Sequence, residues 1–164
     1  ALAHLLDQVR AEGWAQTALV DGAVNRITQV SALGDVQFVF TVRVDAANLS
    51  RVAERLKALA ALARLPVTPD PGPEALRLEG PLTAEVRERL PRDLQALSIE
   101  DFTKVFLEPG ELLRFLDRVP CSVRRGFPLL GIAAVLKDLP SAAFHEAIGP
   151  TVVTHLLPNP CEAA

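Results

Sequence analysis

Apolar positions recur every three and four residues at the start of the chain. Leu2, Leu5, Leu6 and Val9 share one side of a helix expected over 2–12. Gly13 follows as a stop, since glycine accepts the left-handed conformation just past a helix end, and Trp14 is expected to anchor that end in the core. The period then shortens to two. The stretch 17–20 and the positions Ile27, Val30 and Leu33 are divided by the turn signals Asp21-Gly22 and Gly34-Asp35. The clearest strand runs over 36–44, with Val36, Phe38, Phe40, Val42 and Val44 on one side and Gln37, Thr41 and Arg43 on the other. Such alternation predicts an antiparallel sheet with one buried face. Helical spacing returns over 48–65 in Leu49, Val52, Ala53, Leu56, Leu59, Ala60 and Ala63, with Asp45 or Asn48 as cap and Pro66 as stop.

Residues 66–73 carry four prolines and read as a stiff, extended connector. Leu76-Arg-Leu78 returns a short strand to the sheet, and Thr83 opens a helix that ends before Pro91. From Ser98 onward the text reads as helical. Ser98-Ile-Glu-Asp101 resembles a capping box, Pro109 suits the first position of the next helix, and further short helices are expected near 129–139, 141–148 and 151–157. No internal repeat is expected. The fold class is therefore α+β: an antiparallel sheet of three to five strands packed by helices, followed by a helical C-terminal segment. The organisation is one domain over 1–164, divisible into a sheet-containing unit over 1–95 and a helical tail over 98–158.

Composition narrows the function classes. Of the 164 residues, 49% are hydrophobic and 23% charged, which suits one packed domain rather than a disordered chain. The net charge of −3 disfavours direct nucleic-acid binding, whose affinity comes mostly from neutralising phosphates. No apolar run reaches the ~18 residues that span a bilayer, so no membrane association is expected. No signal-peptide pattern is visible, and the cytoplasm is the expected compartment.

Candidate chemistry is sparse. Cys121 and Cys161 lack the spacing of a metal site, and His4, His145 and His155 do not share one helix face. No metal and no cofactor are expected, and no catalytic residue is assigned. Cys121 beside Ser122, with Arg124 and Arg125 near in sequence, could be a nucleophile; a buried small side chain next to a helix cap explains the pair better. Glu100, Asp101, Glu108 and Glu111 fall at predicted helix starts, where capping accounts for them. Gly126 and Gly131 read as a turn and a tolerated helix glycine, since no phosphate-binding glycine pattern is present. Arg87, Arg89, Arg92, Arg124 and Arg125 form a possible basic patch, and Leu112, Leu113, Leu116 and Val119 a possible apolar interface.

The order of these elements resembles the type III secretion chaperone-like fold, and within it the YbjN-type bacterial proteins. The likeness rests on Arg10-Ala-Glu-Gly-Trp14, the strand over 36–44, the helix running into Leu65-Pro66, and Leu76-Arg-Leu-Glu-Gly-Pro-Leu82. It implies a small, often dimeric, protein-binding module without catalytic residues. The expected function is a non-enzymatic protein-binding module, chaperone-like or regulatory, acting as a homodimer with another protein as partner. The alternatives are an accessory protein of nucleic-acid metabolism and an enzyme with a dispersed site around Cys121, His145 or His155.

Overall fold

The computed structural model describes residues 2–20, 36–126 and 128–158. The chain divides into two units, Ala1–Val36 and Gln37–Ala164. In the first, α1 spans Leu2–Ala11 and ends where expected. Gly13 takes φ 64°, and the Gly13 and Trp14 amides turn back to the carbonyls of Arg10 and Val9 at 3.2 and 3.1 Å. Trp14 does not anchor a core; it is 61% exposed. Residues 17–20 form no strand, and the strand expected around Ile27, Val30 and Leu33 lies outside the described residues.

The second unit begins with β1 (Phe38–Val44) and α2 (Leu49–Ala63), which confirm the two clearest periodicities. After them come β2 (Ala75–Arg77), α3 (Ala84–Arg89), β3 (Ala96–Ile99), a 3-10 turn (Phe102–Lys104), α4 (Pro109–Leu116), β4 (Cys121–Val123), β5 (Leu129–Leu136), α5 (Ser141–Ile148) and α6 (Pro150–Val153). The strands pair in parallel, not antiparallel. One sheet joins β1 to β5 and the other has the order β2-β3-β4. The expected helical tail is also corrected, because three of its segments are strands. Ser98 sits inside β3 and caps nothing; Asp101 is the true cap, accepting from the Thr103 amide at 2.9 Å. The short apolar run Leu129–Leu136 fits either period by itself. Pairing with β1 along its whole length settles it as a strand.

Two hydrophobic clusters hold this unit. In the first, Val44 and Ile132 from the inner face of the β1–β5 sheet meet Val52 and Leu56 of α2, Phe144 and Ile148 of α5, and Val152 of α6. In the second, Leu97, Ile99 and Val123 of the other sheet meet Leu82 and Phe115.

The second cluster is built from an internal repeat, which corrects the expectation of none. Ala75-Leu-Arg-Leu-Glu-Gly80 and Ala96-Leu-Ser-Ile-Glu-Asp101 occupy the same positions, with Ala75 opposite Ala96 and Leu76 opposite Leu97. Each copy continues into a second parallel bridge, Leu82 with Val105, and then into a helix, α3 or α4. Cys121 stands opposite Leu97, so the strand recurs after 21 and then 24 residues. A period of that length, with each unit contacting only its neighbour, characterises stacked solenoid repeats.

The proline-rich connector closes this sheet on one side. Val67 pairs in parallel with Val123, and the Arg77 guanidinium donates to the carboxylate of Asp70 and, at 3.2 Å, to the carbonyl of Pro71. Residues 69–74 therefore travel from the β4 edge to β2, three strand spacings or about 14 Å away. Six residues at about 3.1 Å each in the polyproline conformation cover that distance. By register, Arg77, Ser98 and Ser122 share the face opposite Leu97 and Ile99. Ser98 is fully buried there, and its hydroxyl has no hydrogen-bond partner among the described residues. A buried unsatisfied hydroxyl costs stability, so Ser98→Ala is expected to leave stability unchanged or raise it by up to about 1 kcal/mol. Urea unfolding measures this; a clear loss would show that the hydroxyl is bonded in solution.

Candidate functional site

The β1–β5 sheet buries only one of its faces. Phe40, Val42 and Val44 turn inward with Ile132, Ala134 and Leu136, while Val39, Thr41 and Arg43 turn outward with Gly131, Ala133 and Val135. Val39 is 45% and Val135 65% exposed. A register shift between Phe38 and Val39 leaves Leu130 as an extra residue, also exposed. Beyond β5, Leu156 bridges to Ile132, which lays Leu157 over Gly131. Gly131 is thus no helix glycine; it is the gap in a strand through which Leu157 approaches. The outer face is an apolar strip of Val39, Leu130, Ala133, Val135 and Leu157, with one cation, Arg43. Parallel sheets are ordinarily covered on both faces.

A groove of about 450 Å3 forms a second candidate. Its floor lies on α2 at Ala61, a small side chain that keeps the bottom low. Leu113 of α4 forms one wall, and Ile148 and Val152 form the other where α5 turns into α6. The turn is made at Gly149, whose φ of 77° suits glycine. Lys57 and Arg64 stand on the same stripe of α2, four residues before and three after Ala61. No carboxylate lines the groove, and neither cation has an ion pair among the described residues.

The sequence-derived candidates fare differently. Leu112 is buried, and Leu116 and Val119 pack against the second cluster; only Leu113 reaches the groove. That apolar stripe is mostly core. The arginines are largely neutralised in pairs: Arg87 with Glu111 at 3.3 Å, Arg89 with Glu85 at 3.5 Å, Arg124 with Glu79 at 3.7 Å, and Arg125 with both Glu100 and Asp101. Arg92 has no such partner among the described residues. Four of the five therefore already face carboxylates that phosphate would have to displace.

The acidic residues serve the same pairs. Asp101, 4% exposed, spends one oxygen on the Thr103 amide and the other on Arg125 at 3.0 Å. Glu108 precedes α4 without a side-chain cap bond, and Glu111 in its first turn holds Arg87. Among the described residues no three His, Cys, Asp or Glu side chains converge on a metal position. His4 and His145 are exposed; His155 is half-buried beside Ile132, with its carbonyl accepting from the Ile132 amide at 2.7 Å.

Cys121 lies in β4, and Ser122 beside it caps no helix. Its thiol is directed at the Val119 carbonyl at 3.2 Å. Burial pushes the thiol up from 9.0 to about 12. At neutral pH only about 1 in 10^5 of the side chains would be thiolate, the form that attacks. The folded state favours the protonated thiol, so the stability this group lends is intact below pH about 9 and is lost as the pH rises towards 12. In a Cys161→Ser background, Cys121 is expected to react with a disulfide reagent at least a hundredfold slower than in urea. Fast labelling of the native protein would contradict this.

No helix among the described residues is long and apolar enough to cross a membrane. Comparison of the chain with family models, curated proteins and solved structures gives no match.

Proposed function

We propose that the chain is a non-enzymatic protein-binding module that acts as a homodimer through the outer face of the β1–β5 sheet. The observation that carries this reading is the exposure of Val39 and Val135 on the same outer face of a parallel sheet. Leaving such side chains in water forgoes roughly 25 cal/mol for every Å2 that a partner would cover. A second copy is the simplest cover, since a flat, nearly uncharged strip can meet its own image across a two-fold axis. A solenoid segment beside it suits a binding role, because stacked repeats supply extended surfaces. The likeness to the YbjN-type proteins implies the same class of function.

The test is sedimentation velocity of Val135→Glu, which places a carboxylate at the most exposed valine of the strip. At a concentration where the parent chain is dimeric, the variant is expected to be monomeric. Phe106→Glu, at an exposed residue that is not part of the strip, is expected to leave the dimer intact. Equal dissociation of both, or of neither, would remove the outer face as the interface.

A further inference from the structure

We propose that the groove on α2 binds an extended acidic peptide segment of a partner protein, with its aliphatic side chain on the Ala61 floor and flanking carboxylates on Lys57 and Arg64. This rests on reading the chain as a protein-binding module, but not on the dimer.

The geometry selects this occupant. Between the two cations the lining is mostly aliphatic, Ala61, Leu113, Ile148 and Val152, with the Thr151 hydroxyl as its one uncharged polar side chain. The two cations are seven residues apart on one helix, about 10 Å along its axis at 1.5 Å per residue. In an extended peptide, residues two and four apart point to the same side, and residues four apart are separated by about 13 Å, a span that two long cationic side chains can meet. A Glu-x-aliphatic-x-Glu segment thus presents both charges and the apolar side chain between them on one side. A simple fatty acid or a free phosphate carries its charge at one point and reaches one cation only. The groove is also a local positive site on a chain whose net charge is −3. Opposite charge on the partner speeds encounter and sets register, while the apolar anchor supplies affinity.

The probe is a fluorescein-labelled Gly-Glu-Ser-Leu-Ser-Glu-Gly peptide, read by fluorescence polarisation against the full chain. Binding is expected to weaken with added salt, to weaken at least tenfold in Lys57→Glu/Arg64→Glu, and to vanish when both glutamates of the peptide become lysines. Ala61→Trp, which fills the floor, is expected to weaken it to a similar degree. Both cations are exposed, so the charge-reversed protein keeps its fold by circular dichroism and decides the matter even if Ala61→Trp does not fold. Val135→Glu is expected to bind the peptide as the parent does, which separates this site from the dimer surface. The proposal is overturned by no polarisation change up to millimolar protein, by equal binding of the lysine peptide, or by binding that survives charge reversal. Decanoate binding as tightly as the peptide would also overturn it, in favour of a small-carboxylate site.

Discussion

Replacing Phe144 by alanine is expected to cost about 3–5 kcal/mol of folding stability, the range for deleting a buried aromatic side chain. Phe144 is 1% exposed and is the largest fully buried side chain among the described residues. It sits where α5 meets α2 and the inner face of the β1–β5 sheet, among Val44, Leu56 and Ile132. All three neighbours are themselves fully buried, so none can fill the space without uncovering another contact. That places the loss towards the upper part of the range. Urea denaturation of the variant and parent measures it. A loss below about 1 kcal/mol would mean that α5 does not pack on the sheet in this way.

Gly131→Val is expected to cost about 2–3 kcal/mol by overpacking. A Cβ at this position would stand 2.6 Å from Leu157 Cγ and 3.3 Å from the His155 carbonyl oxygen. The Leu157 side chain is partly exposed and can yield, but the His155 carbonyl accepts the Ile132 hydrogen bond and cannot easily move. The contact should therefore appear as coupling. Gly131→Val combined with Leu157→Ala is expected to be less destabilised than the sum of the two single changes by at least about 0.5 kcal/mol. Strict additivity would show that Leu157 does not lie over Gly131.

Much of the local structure was legible where the sequence carries a long, one-sided pattern. The helix over 48–65 appears as Leu49–Ala63, and the alternation over 36–44 gives β1 with its inner and outer faces assigned correctly. Gly13 and Pro109 mark helix ends as glycine and proline should. The sheet direction was not legible, because alternation in one strand reports that one face is buried and nothing about its neighbour's direction. β3 and β4 have only four and three residues, too few to show a period of two. Ser98 and Asp101 fall at capping-box spacing, which disguised a strand as a helix start.

The repeat could have been found. Ala-Leu-x-aliphatic-Glu occurs at Ala75 and again at Ala96. What hid it is the third copy, where Cys121-Ser-Val123 keeps the register but not the residue types, and the unequal spacing of the copies. The groove and the outer sheet face were beyond reach for another reason. Each is assembled from elements far apart in the chain: Ala61 with Leu113 and Ile148, and Val39 with Val135. Only the parallel pairing of β1 with β5 puts the last two on one face, Val39 opposite Gly131 and Val135 opposite Arg43.

The most direct test of the account is the solution mass of the purified chain, measured by light scattering over a concentration series. The outer face of the β1–β5 sheet predicts a mass approaching twice the 17.7 kDa of one chain as concentration rises. A mass that stays at 17.7 kDa throughout would contradict the homodimer.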